Sequence, residues 1–215
     1  SLVRNLSSHS ILRLKKMIDE YIKTNMSFWN EQTLVRALKS QTSKFIEFTS
    51  VGRVFDMAAF VLGFNKQVSF EAEAAIELEE MALEYFKLLG VERSAWQIKK
   101  MYFEAERNLS YCELLDFSRW LPTLLEWDNI AQKGKYESAF YFTVQIAVEM
   151  ILLVRTGDFH FRSKMVLCGG VFQNRILVWA LEVLASMFDM TIFISKKIPP
   201  GDNSVSLGQV LALCV

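Results

Sequence analysis

The chain has 215 residues, enough for one large domain or two small ones with a sizeable core. Apolar residues make up 52% and aromatic residues 13%, which excludes an intrinsically disordered protein. Lys plus Arg and Asp plus Glu stand at 24 each, so no long-range field gathers nucleic acid or an acidic membrane.

Taken in chain order, helical spacing of apolar residues predicts helices at about 10–25, 30–40, 53–63, 70–89, 92–106, 109–118, 120–131, 135–156, 173–187 and 204–214. Proline and glycine are scarce through these stretches, so little interrupts them. The start, SLVRNLSSHS, has no apolar core of the kind a signal peptide needs. The run from Phe142 to Val154 is broken by Gln145 and Glu149 and reads as too short and too polar to span a bilayer. Cys112, Cys168 and Cys214 are odd in number, widely spaced and without a CxxC pair. The expectation is a reduced, cytoplasmic protein, not a disulfide framework or a zinc site.

Two segments depart from helical spacing. Lys164-Met-Val-Leu-Cys168 is a short apolar run ending at Gly169-Gly170, and Thr191-Ile-Phe-Ile-Ser195 alternates and stops before Pro199-Pro200. Both read as buried strands, joined by the helix at about 173–187 into a parallel βαβ unit. The fold class is therefore α/β but predominantly helical. A helical region at about 1–135 is followed by a small α/β region at about 136–215. Two strands do not make a stable sheet, so the sheet is expected to be incomplete.

Six of the nine glycines fall in three short segments, Thr49–Gly63, Cys168–Asn174 and Ile198–Gln209. In Thr49-Ser-Val-Gly-Arg-Val-Phe-Asp56, Gly52 sits in the first turn of a helix, where free N–H groups let a ligand approach. Asp56, one turn on, faces the same way and suits a ribose diol. The same residues also suit an ordinary helix capped by Ser50, with Gly63 as its stop. In Cys168-Gly-Gly-Val-Phe-Gln-Asn174, a strand runs through two glycines into a helix, a geometry that offers bare amides to a phosphate. Many strand-to-helix turns use glycine for no such reason. In Pro199-Pro-Gly-Asp-Asn-Ser204, a rigid turn holds Asp202 at a strand end, where it can take a hard metal or cap the last helix.

Other candidates are weaker. The glutamates Glu71, Glu73, Glu77, Glu79 and Glu80 read mostly as a solvated helix face. His9 and His160 have no ligand-spaced neighbours. Cys168 reads as a small core residue. No P-loop, HExxH or Ser-His-Asp signature is recognisable.

Together, and in this order, the segments resemble the HypF family of carbamoyltransferases, from about residue 25 to the C-terminus. The pattern S-S-x-G-R-L-F-D-A-V-A-x-L-L-G is met as TSVGRVFDMAAFVLG, and E-G-x-A-A falls within SFEAEAAIELE at Ser69 to Glu79. The patterns S-G-G-V-F-x-N-R-x-L and P-P-x-D-G-G-I-x-L-G-Q are met as CGGVFQNRIL and PPGDNSVSLGQ. The resemblance implies the C-terminal lobe of an actin-like (RNase H-like) ATPase fold, with a large helical insertion and an incomplete sheet. It implies use of carbamoyl phosphate and ATP to form carbamoyl adenylate. The carbamoyl group then passes to the C-terminal cysteine of HypE in nickel-iron hydrogenase maturation. Gly169, Gly170 and Asn174 would line the adenosine and phosphate. Gly52 and Asp56, with Glu71 or Glu73, would hold ribose and base. Asp202 would hold a divalent metal such as Mg or Fe.

This sequence departs from the pattern at several positions. The family's Ser before Gly-Gly is Cys168, its Gly in E-G-x-A-A is Ala72, and its two Gly after the metal Asp are Asn203 and Ser204. The family's paired histidine ligands, four residues apart, have no counterpart, and neither does its D-G-x-G-x-G hairpin. The expectation is half of a nucleotide and metal cleft, with the other half supplied by an upstream part of the same enzyme. A HypE-like acceptor is the expected protein partner, with neither nucleic acid nor membrane involved. Two alternatives stand beside it: a family member that binds nucleotide or protein without catalysis, and an O-carbamoyltransferase of the same fold.

Overall fold

In a computed structural model, the residues described are 12, 15–20, 23, 50–64, 66–108, 132–157, 163–195, 201 and 209–210. Five long helices and two strands lie among them: α1 (Val51–Val61), α2 (Glu73–Leu89), α3 (Val91–Asn108), α4 (Gln132–Thr156), β1 (Lys164–Leu167), α5 (Arg175–Ser186) and β2 (Thr191–Ile194). The helices expected at about 30–40, 109–118 and 120–131 lie outside the described residues, and those at about 10–25 and 204–214 are described only in part.

The chain forms two compact units. One comprises Ser1–Leu78 and Phe117–Lys135, the other Glu79–Asp116 and Tyr136–Val215.

The first unit holds α1 and the start of α2. Val54, Phe55, Ala58, Ala59 and Val61 recur at helical spacing and are the buried residues of α1. The helix stops at Gly63, as expected. The Phe64 amide donates to the Ala59 carbonyl and the Gly63 amide to the Phe60 carbonyl, which is a Schellman motif with Gly63 at φ +111°. A β-carbon there would also lie 2.8 Å from Lys135 Nζ. The helix expected from residue 70 begins at Glu73 instead, because Ala72 takes a left-handed φ of 63° and breaks the run.

The second unit holds most of α4. This 25-residue helix is longer than the apolar run read from the sequence. Its stretch Gly134–Thr156 has the length and apolarity to cross a bilayer, but 72% of the 18-residue apolar segment within it is buried inside the protein. It is a core helix, with Phe140, Val144, Ala147, Val148 and Ile151 wholly buried. Its polar residues are satisfied locally: Gln145 Nε2 donates to Glu149 Oε1 at 3.0 Å, and Thr143 Oγ1 to the Ala139 carbonyl at 2.9 Å.

The helix α3 turns its Ile98, Tyr102 and Ala105 inward. The Phe188 ring packs tilted against Tyr102, ring centres 4.9 Å apart, and the Arg155 guanidinium lies 3.7 Å from the Phe188 ring centre. Arg155 donates to the Tyr102 hydroxyl and, at 2.9 Å, to Glu106 Oε1.

The expected βαβ unit is present. β1 and β2 are parallel neighbours, with Lys164 opposite Thr191 and Val166 opposite Phe193. Ile176, Leu177, Ala180, Leu181 and Leu184 of α5 are buried, and this helix packs on α3 and β2. Full burial of each such Leu or Ile is worth roughly 1.5–3 kcal/mol. The strands themselves are not buried on both faces, contrary to the expectation. Of β1 only Leu167 is fully buried, while Val166 is 72% and Phe193 48% exposed. A two-stranded sheet with α5 on one face leaves the opposite face open.

Candidate nucleotide site

The candidate residues Gly52, Asp56, Glu71 and Glu73 belong to the first unit, and Gly169, Gly170 and Asn174 to the second. Asp202 lies outside the described residues.

Gly52 is the second residue of α1. Ser50 occupies the N-cap position with φ −69° and ψ 117°, but its side chain makes no capping hydrogen bond. The first-turn amides of α1 are thus left without the side-chain cap that the alternative reading required. A β-carbon at Gly52 would meet only Ser50 Oγ, at an ordinary 3.6 Å. Neither its φ nor its packing within the protein asks for glycine, although glycine in a helix is disfavoured by up to about 1 kcal/mol against alanine. Asp56, part-exposed, makes one loose contact, 3.4 Å from Arg53 Nη1. That leaves the carboxylate accessible to hydroxyl donors.

Glu71 is exposed. Glu73 is not: its carboxylate is taken up by its own loop. The Ser69 amide and hydroxyl donate to Oε2 at 2.6 and 2.8 Å, and Lys66 Nζ lies 2.7 Å from Oε1. The Lys66 ammonium first, and then the two Ser69 donors, lower the Glu73 pKa from 4.5 to about 2. Glu73 therefore pins the 66–72 loop onto the start of α2.

In the second unit, β1 leads through Cys168 and Gly169 into a 3₁₀ turn, Gly170–Gln173. The helix α5 therefore starts at Arg175, later than expected. Gly169 has φ +110° and ψ 155°, a conformation open in practice to glycine alone. The Phe172 amide donates to the Gly169 carbonyl at 3.2 Å and the Asn174 amide to the Val171 carbonyl at 3.1 Å. Gly170 is different. It lacks a positive φ, and a β-carbon on it would meet nothing within 4 Å. Cys168 is exposed, against the expectation of a core residue, because the chain leaves the sheet just after the buried Leu167.

Asn174 is buried and caps α5, its Oδ1 accepting from the Leu177 amide at 2.9 Å. The Arg175 amide donates to Glu79 Oε1 at 3.1 Å. The first turn of α5 is thus capped by the protein's own side chains, and the uncapped stretch lies earlier, at Gly169-Gly170.

Gly201 was not singled out from the sequence, yet it joins two of the three segments. Buried, it lies against the 3₁₀ turn: a β-carbon on it would sit 3.2 Å from Gln173 Nε2 and 3.4 Å from the Gly170 α-carbon. The Pro-Pro-Gly run was the signal that could have found it. Glu79, read with its neighbours as a solvated face, and Arg175, given no role by the sequence, form a contact with each other. Arg175 Nε donates to Glu79 Oε1 at 2.6 Å and Nη2 to Glu80 Oε1 at 3.0 Å. The glutamates of α2 are therefore not simply a solvated face. Glu73 is buried, and the Glu79 side chain is only 12% exposed because each closes on a donor from another segment.

Among the described residues, no group of three or more His, Cys, Asp or Glu side chains could hold a metal ion. At Gly169 and Gly170 a β-carbon would meet nothing within 4 Å, so the backbone of this turn is open to the close approach of a ligand.

Residues 3–209 match the family described as carbamoyltransferase, Kae1-like domain, second subdomain. The chain is similar to carbamoyltransferase HypF2 of Cupriavidus necator, 27% identical over 75% of this chain and 21% of that protein. It is similar to carbamoyltransferase HypF of Synechocystis sp., 23% identical over 76% of this chain and 19% of that protein. A HypF homolog of Cupriavidus necator is 27% identical over 75% of this chain and 39% of its own length. The chain thus spans about a fifth of the first two relatives. No solved structure matches. With residues 3–209 matched, the chain belongs to the carbamoyltransferase Kae1-like domain family, as its second subdomain.

Proposed function

We propose that this chain forms one wall of the nucleotide cleft of a cytoplasmic carbamoyltransferase, as the C-terminal lobe of an actin-like fold. The rest of the cleft and further strands for the open sheet come from another part of the enzyme. The observation that carries this reading is the contact of Gly201 with Gly170, which brings a residue that follows β2 against the 3₁₀ turn that follows β1 at its carboxyl end. Ligands of open α/β sheets sit at such strand ends. Gly52 and Gly170 add support, since each is a glycine that neither its φ nor its packing requires.

In this reading the Gly169-Gly170 turn of the second unit offers backbone amide dipoles to phosphate oxygens. For the first unit, the family resemblance alone assigns Gly52 and Asp56 to the nucleoside, Gly52 through its open backbone and Asp56 as an acceptor for hydroxyls. Asn174 shapes the turn by capping α5, and Glu73 orders the loop before α2. By the family resemblance Asp202 would hold a divalent metal, which with bound ATP would supply the charge neutralisation for activating the carbamoyl group. The acceptor is the C-terminal cysteine thiolate of a HypE-like protein. Ala72 keeps the left-handed backbone at the position where the family pattern has glycine, so the fold of this loop survives the substitution. That favours a working cleft over a module that has lost its chemistry.

The test is calorimetric titration of ATP with Mg²⁺ or Fe²⁺ into the chain, with and without the upstream half of the enzyme. The isolated chain should bind nucleotide weakly or not at all and show no carbamoyl-phosphate-dependent ATP turnover. Robust turnover by the 215-residue chain alone would overturn the half-site reading.

A further inference from the structure

The Glu79–Arg175 contact is built more fully than an ordinary surface ion pair. One carboxylate oxygen of Glu79 accepts from both the backbone amide and the Nε of Arg175, at 3.1 and 2.6 Å. Glu80, its neighbour, takes Nη2 at 3.0 Å. The partners lie 96 and 95 residues apart in sequence, so the contact ties the middle of α2 to the first residue of α5. Arg175 directly follows Asn174, the residue that closes the 3₁₀ turn and caps α5. Whatever fixes Arg175 fixes the exit of that turn.

We propose that Glu79 and Arg175 are positioning residues that clamp the Cys168–Asn174 turn in the shape a nucleotide phosphate needs. This rests on the nucleotide-cleft reading above. The clamp commits the Arg175 guanidinium to two carboxylates, so Arg175 acts through the backbone and not as a phosphate ligand. A lysine cannot reproduce it, because a single ammonium lacks the forked donors that reach Glu79 and Glu80 together.

Two measurements test the clamp. The first is amide hydrogen exchange at Phe172, Asn174 and Leu177 in the chain itself. Arg175→Gln should speed exchange at these amides about tenfold by local opening, with amides inside α3 unchanged and Arg175→Lys intermediate. Unchanged exchange at the turn would overturn the proposal, and so would uniform acceleration throughout the chain.

The second is ATP affinity of the full enzyme carrying this chain. The clamp predicts that Glu79→Gln and Arg175→Gln both weaken ATP by about fivefold or more, and that the double variant is no worse than either alone. If Arg175 were instead a phosphate ligand held back by Glu79, Glu79→Gln would tighten ATP while Arg175→Gln weakened it, and the clamp would be refuted. Failure of the unsubstituted enzyme to bind ATP would count against the cleft reading, and the exchange measurement would still decide whether the clamp orders the turn.

Discussion

Gly201 presses on Gly170 so closely that a β-carbon at position 201 would stand 3.4 Å from the Gly170 α-carbon. Gly170 follows β1 and Gly201 follows β2, so their approach ties the chain after one strand to the chain after the other. Alanine at 201 would also come within 3.2 Å of Gln173 Nε2, but Gln173 is an exposed side chain that can move away. Gly201→Ala should therefore cost less than about 1 kcal/mol, whereas Gly201→Val, which must push on the Gly170 backbone, should cost about 2 kcal/mol. Urea unfolding of the two variants measures this. Equal, small effects would show that the turns are not in contact in solution.

Gly52 and Gly170 separate stability from binding. Neither is held to glycine by its φ or by a neighbour's approach. Gly52→Ala should leave the chain as stable or more stable, by roughly 0.5 kcal/mol, since alanine is the better helix former. Gly170→Ala should be close to neutral. On the proposed cleft, both should weaken ATP in the full enzyme by about tenfold or more, because the added methyl would enter the space proposed for the nucleotide. A gain in stability without loss of ATP affinity would remove the reason offered for these two glycines.

Much of this was legible in the sequence. The strands, their parallel pairing and α5 follow from short apolar runs bounded by glycine and proline, with a 3.6-residue stripe between them. The exposure of Val166 and Phe193 was not legible, since alternation and apolarity do not say whether a second layer covers the sheet. The roles of Glu73 and Glu79 were hidden for another reason. A glutamate on a helix surface looks solvated until its donor is known. Arg175 lies 96 residues from Glu79, and Lys66 and Ser69 reach Glu73 only because the loop folds back. The late start of α2 depends on a left-handed alanine, a conformation for which alanine gives no local signal.

Ala72 offers a direct test of that backbone reading. With φ at 63°, its β-carbon crowds the following carbonyl, a clash glycine does not have. Ala72→Gly should stabilise the chain by about 1 kcal/mol, even though a helix-forming residue is being replaced by the most flexible one. A shift of the urea midpoint to higher concentration with an unchanged slope is the expected reading. Destabilisation would place Ala72 in the ordinary helical region and restore the earlier helix start.

The Lys66–Glu73 pair makes stability depend on acid in one direction only. In the unfolded chain Glu73 titrates near 4.5, while in the fold Lys66 and Ser69 hold it at about 2. Between these values the unfolded state binds the extra proton, so stability rises with pH across that window and falls as the solution is acidified. The contribution is complete above about pH 5 and is lost as pH drops through 4.5 toward about 2. Glu73→Gln cannot ionise and should lack this dependence. Urea midpoints of the two proteins should therefore differ most at neutral pH and converge on acidification. Because the Lys66 side chain is 55% exposed, added salt should narrow the neutral-pH gap as well. A gap that persisted unchanged at pH near 2 would mean that packing of the side chain, and not its charge, secures the loop before α2.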